Sequence, residues 1–174
     1  MNKQINESKS VGILYHYTSL ENAIKIIKEN QLKSNISDQG IQSISFTRNK
    51  NFHKNKNFNG ISNECRFVID GNKLSNKYKI SPYAQKDFEK SSENFEAEER
   101  ITSSHSFTIP INTFLVNIDV TVDKFKLLMD FKLYMQLFSL CKDNKIKIST
   151  MSNDGTPLPF IKVLNLINKL NEKN

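Results

Sequence analysis

The chain has 174 residues, with 25 Lys and Arg against 18 Asp and Glu, a formal net charge of +7 and a pI near 9.3. That length can bury a core without help from disulfides or metal, and two distant cysteines, Cys65 and Cys141, with no CxxC pair exclude a spacing-defined zinc site or a disulfide framework. No apolar run approaches a membrane span, so a cytoplasmic protein with no membrane partner is expected, and its basic balance suits a polyanion as well as it suits a plain solvated lysine surface.

Residues 1–10 are polar and lack an apolar signal core, so they predict a flexible N-terminus; residues 11–174 read as one domain. Residues 13–17 predict a short strand. Thr18-Ser19-Leu20-Glu21 then has the form of a capping box, with Thr18 as the N-cap and Glu21 reaching back. Leu20, Ala23, Ile24 and Ile27 recur at i, i+3, i+4, i+7, the stripe of an amphipathic helix. A loop is expected through Gly40, then a strand over 41–47. Residues 48–60 (RNKNFHKNKNFNG) carry four cations, no acid and two phenylalanines, and predict a mobile basic loop.

Residues 65–70 (CRFVID) predict a strand ended by Gly71-Asn72, and 78–80 a further short strand stopped by Pro82. Charge then reverses: residues 87–99 hold six acids and one lysine. Strands are expected from Glu99 to Ser103 and over 113–120, one long helix over 122–142, a strand over 145–150, a turn cluster over 152–159 and a closing helix over 160–170. Strands and helices are mixed without regular alternation, which favours α+β over a doubly wound sheet.

Three stretches carry chemistry-bearing side chains. His16 lies between Tyr15 and Tyr17, beside Thr18 and Ser19. Ser45-Phe46-Thr47-Arg48 ends a strand with hydroxyls and an arginine. Glu96-Ala97-Glu98-Glu99-Arg100 packs carboxylates at a strand entry. Each has a bland reading alone: a structural histidine, a surface arginine, a solvated acidic face. Three crowded carboxylates repel one another, however, and their closeness suits a functional demand or a basic partner.

In this order and spacing the three stretches resemble the ADP-ribosyltransferase superfamily, over residues 13 to 104. They are most similar to its small prokaryotic and phage members, including the DNA-modifying toxins. The resemblance implies a split antiparallel β-sandwich with flanking helices and NAD as substrate, with a nucleic acid or protein as acceptor. By carry-over, His16 would bond the adenosine ribose of NAD. Thr18 or Ser19, with amides at the helix start, would face a phosphate or amide. Arg48 would clamp the pyrophosphate or orient the acceptor. Glu98 would bond the nicotinamide ribose and stabilise the oxocarbenium-like centre left when nicotinamide departs, with Glu96 and Glu99 as alternatives. Tyr17, Ser45 and Thr47 complete the implied cofactor-binding set. The family's nicotinamide-stacking tyrosines have no clear counterpart: Phe46, Phe52, Phe58, Tyr78 and Tyr83 compete, and Phe52 is the candidate carried forward.

Two other functions fit the same residues. One is a non-catalytic nucleic-acid or partner-binding module, in which the Phe and Lys residues of 48–60 contact single strands. The other is a metal-independent ribonuclease pairing His16 with His53 or His105. Oligomeric state is not encoded in any of these features.

Overall fold

The computed structural model describes residues 10–36, 40–51, 62–82 and 98–171. In chain order, β1 (Ile13–Thr18) leads into α1 (Leu20–Glu29), then β2 (Gln31–Lys33), β3 (Asn35–Ile36) and β4 (Gln42–Thr47). Next come β5 (Cys65–Asp70), α2 (Gly71–Ser75), β6 (Ser81–Pro82) and β7 (Glu98–Ser103). The remainder is β8 (Thr108–Pro110), β9 (Leu115–Thr121), α3 (Lys124–Met129), α4 (Phe131–Asp143), β10 (Ile148–Met151) and α5 (Phe160–Asn171).

These form a mixed α+β structure. Eight strands make one sheet in the order β10-β9-β5-β1-β4-β7-β6, with β3 beside β4, and β2 pairs with β8 in a second sheet. Among the described residues, every strand pairing is antiparallel except β9 with β10.

Register separates the faces of the large sheet. Leu14 stands opposite Ile69, His16 opposite Phe67, Ile44 opposite Ile101, and Phe67 opposite Ile118. Residues opposite one another in a ladder share a face. This apolar face joins Leu20, Ala23, Ile24 and Ile27 of α1 and Tyr134, Leu137, Phe138 and Cys141 of α4 in one core cluster. The other face is polar: Tyr17 stands opposite Arg66, Arg66 opposite Asp119, and Ser45 opposite Arg100.

Several local expectations change. The N-cap of α1 is Ser19, whose Oγ accepts from the Asn22 amide at 3.2 Å. Thr18 ends β1 opposite Cys65 and is buried, so it has left the capping position for the sheet. Asn30 closes α1 in the left-handed region at φ 53°, a conformation asparagine tolerates. The expected loop after α1 contains β2 and β3. The segment expected as a strand over 78–80 pairs instead at Ser81–Pro82, on the sheet edge where proline is accepted. The single helix expected over 122–142 is two, broken at Asp130. Within this stretch Phe125, Leu128 and Met129 are 72%, 52% and 73% exposed.

β5 ends where α2 begins at Gly71, whose amide meets the Gly12 carbonyl at 2.8 Å. A Cβ at Gly71 would lie 2.5 Å from that carbonyl oxygen, so the close approach requires glycine.

Candidate functional site

The middle of the large sheet places β1, β4 and β7 side by side. Tyr15 pairs with Thr47, and Thr47 pairs with Glu98, so one row crosses the three strands that carry the three stretches. Two strand spacings, about 10 Å, separate β1 from β7. Residues more than 80 positions apart in the chain thereby stand in one row of the polar face, while His16 belongs to the other face.

His16 is held on the apolar face. Its Nδ1 lies 3.0 Å from the Ser45 carbonyl, and its ring sits between those of Phe46 and Phe67, at centroid distances of 6.0 and 6.4 Å. A carbonyl only accepts, so the neutral ring carries its proton on Nδ1 and leaves Nε2 as an acceptor. Burial lowers the His16 pKa from 6.5, opposed by the Ser45 bond. The ring is therefore neutral near pH 7, and Nε2 suits a hydroxyl donor.

Beside it opens a cleft of about 480 Å³ between the end of β1, one side of α1, and β2 and β3. His16, Tyr17, Thr18 and Ser19 form one wall, and Lys25 and Lys33 bring cations to the others. The volume lies in the range of small-molecule sites. Lys33 is paired at 2.6 Å with Glu29, which also lines the cleft, so Lys25 and the acceptor nitrogen are the groups left to meet an anionic, hydroxyl-bearing ligand.

The amides at the start of α1 are less available than the sequence suggested. The Leu20 amide donates to Glu64 Oε2 at 3.0 Å, and the Asn22 amide to Ser19. Glu64 also takes a 2.7 Å bond from Lys126 Nζ. Burial raises its pKa, but the bonds from Lys126 and Leu20 outweigh that and leave it lowered. A carboxylate thus stands at the helix N-terminus, where the dipole favours negative charge.

Arg48 follows β4. Its Nε donates to Glu99 Oε1 at 2.6 Å. Glu99 is 7% exposed, whereas the Arg48 side chain is 46% exposed, so the arginine pairs inward and still faces solvent. Thr47 is buried, and its Oγ1 accepts from the Asn49 amide at 3.0 Å. The cleft thus gathers His16, Tyr17 and Thr18. Ser45, Thr47 and Arg48 are not among its described lining residues; Ser45 contributes the carbonyl that orients His16. Glu98 begins β7 opposite Thr47. Phe52, Glu96 and His53 lie outside the described residues. His105 is exposed, with its Nδ1 2.9 Å from Ser104 Oγ, and does not line the cleft with His16.

The sequence reading missed Arg66 and Asp119. Arg66 is 3% exposed and lies on the polar face, with its guanidinium 5.0 Å from the Tyr15 ring and 5.9 Å from the Tyr17 ring. Its Nε and Nη2 both donate to Asp119 Oδ2, the former at 2.9 Å. The available signal was a charge inside an apolar strand on each side, in CRFVID and in NIDV, since buried charges require partners.

Comparison with protein-family models finds no match, and comparison with curated proteins finds none.

Proposed function

We propose that this chain is an NAD-dependent ADP-ribosyltransferase of the split-sandwich type, acting on a nucleic acid or protein acceptor. The observation that supports it best is the adjacency of β1, β4 and β7, which brings the His16, Thr47-Arg48 and Glu98-Glu99 stretches onto neighbouring strands of one sheet, with His16 and Glu99 on one face, Thr47 and Glu98 in the row of the other, and the cleft at the His16 end. In this reading NAD is the substrate. His16 Nε2 accepts from a ribose hydroxyl, and Lys25 attracts the pyrophosphate, Lys33 being paired with Glu29. Arg48 meets a phosphate or the acceptor from its exposed side. In this reading the Glu98 carboxylate stabilises the positive charge that develops as the bond to nicotinamide breaks; stabilisation of that kind contributes roughly 10²–10³-fold in rate. Glu99, held by Arg48, orients the arginine.

Calorimetric titration with NAD tests the first half. Wild type should bind, and His16→Ala should bind at least tenfold more weakly while keeping its circular dichroism spectrum. Failure of folded wild type to bind at millimolar NAD overturns the reading. Turnover of labelled NAD tests the second half: Glu98→Gln should lose about 10²-fold or more, and an unaffected rate would remove Glu98 from the reaction.

A further inference from the structure

The polar face of the sheet carries a second arrangement, and it reaches the segment that bears Arg48. Beyond its pair with Asp119, Arg66 donates from Nη1 to the Lys50 carbonyl at 2.6 Å. The Tyr17 hydroxyl donates to the same carbonyl at 2.5 Å and lies 3.4 Å from Arg66 Nη1. Asp119 is fixed from its other oxygen by Asn117 Nδ2 at 2.7 Å. One backbone oxygen just past β4 is thus held by two side chains from β1 and β5. The turn is also closed from within: the Asn49 amide bonds Thr47 Oγ1, and the Asn51 amide bonds Asn49 Oδ1 at 2.8 Å.

We propose that Arg66, Tyr17 and Asp119 are positioning residues that clamp the Lys50 carbonyl, and thereby fix the 48–51 turn so that Arg48 is presented from Glu99 towards the substrate. The catalytic half of this rests on the transferase reading; the clamp itself does not. A surface turn does not need a buried arginine to hold it, because solvent could satisfy the Lys50 carbonyl. Burying a guanidinium is costly unless its charge is matched and its donors are satisfied. Here Asp119 supplies the charge; of the other donors, Nη1 serves the Lys50 carbonyl and the Tyr17 hydroxyl, and Nη2 also reaches Met151 Sδ at 3.6 Å. A guanidinium fork can serve Asp119 and Lys50 together, which a lysine ammonium cannot do with the same geometry.

Two variants separate the clamp from simple stability. Tyr17→Phe keeps the ring over Arg66 and removes the hydroxyl, with its bonds to the Lys50 carbonyl and Arg66 Nη1. Arg66→Lys keeps the charge opposite Asp119 and removes the fork. Amide hydrogen exchange should become at least tenfold faster at Asn49 and Asn51 in both, with α4 unchanged; unchanged exchange at those two amides overturns the clamp. A double-mutant cycle reads the catalytic half. Tyr17→Phe should lower NAD turnover about tenfold with Arg48 present and less than twofold in an Arg48→Ala background. An equal loss in both backgrounds overturns action through Arg48. Wild type that does not bind NAD overturns the transferase reading and the catalytic half together, while the exchange result still decides the clamp.

Discussion

Arg66 and Asp119 show how much depends on single side chains in this sheet. Arg66 has its pKa pulled down by burial and pushed up more strongly by its bonds to Tyr17 and Asp119, so it stays charged. Removing it leaves Asp119, itself 7% exposed, as a buried charge without its cation. Arg66→Ala should therefore cost about 3–5 kcal/mol, whereas the pair Arg66→Met with Asp119→Leu should cost far less, because no charge is stranded. Urea unfolding of the two variants checks this. A single mutant no less stable than the double would show that the pair contributes packing alone. Individual residues were partly legible beforehand. His16 stood out because a histidine between two tyrosines precedes a helix start, and it does line the cleft. Arg66 did not, because Val and Ile around it read as an ordinary core strand, and its partner lies 53 residues away. Pairing at that separation depends on the β5–β9 register, which no local pattern reveals.

Elements were more legible than their ends. Strand β5 falls on the residues expected, because five successive buried positions flanked by Asp70 and a required Gly71 leave no other register. The start of α1 was misplaced by one residue: both Thr18 and Ser19 can cap, and the choice belongs to the sheet. Thr18 is drawn into β1 by its ladder partner Cys65, so Ser19 becomes the first residue free to turn its hydroxyl onto an amide. Ser19→Ala should then cost about 1 kcal/mol by loss of a cap, measured as a lower urea midpoint with an unchanged slope. Thr18→Val, which keeps the shape in a buried strand position, should leave the α1 cap intact. The reverse order of effects would return the cap to Thr18. The break at Asp130 was hidden for a different reason. Apolar letters at helical spacing continue through it, and only tertiary packing decides that Leu127 goes inside while Phe125 and Met129 stay out. Asp123 caps α3 through the amides of Phe125 and Lys126, and Asp130 lies between the two helices with φ −113° and ψ 23°.

At the scale of the whole molecule, His16 in the cleft wall and Glu64 at the start of α1 titrate in different windows, and this predicts the shape of the stability curve. His16 has a folded pKa below 6.5 because burial disfavours the imidazolium. The unfolded chain therefore takes up a proton near pH 6.5 while the folded chain does not, so stability falls as pH drops below that value. The slope is at most about 1.4 kcal/mol per pH unit, and the loss stops at the folded pKa. Glu64 behaves as a carboxylate held by Lys126 and the Leu20 amide: its contribution is complete above its unfolded value of 4.5 and is lost as pH falls through its lower folded value. Stability measured by urea unfolding should thus decline in two steps on acidification, one beginning near 6.5 and one below 4.5. His16→Gln should flatten the first step and leave the second. Glu64→Gln should do the opposite, and it should also loosen the link from α3 through Glu64 to the start of α1, seen as faster amide exchange at Leu20. A first step that persists in His16→Gln would mean that another group titrates there and that His16 is not held neutral by its surroundings. Because the folded ring stays neutral through this first window, affinity for the proposed NAD ligand should hold across it and fall only at the lower folded pKa, where Nε2 of His16 itself takes up the proton and no longer accepts a bond.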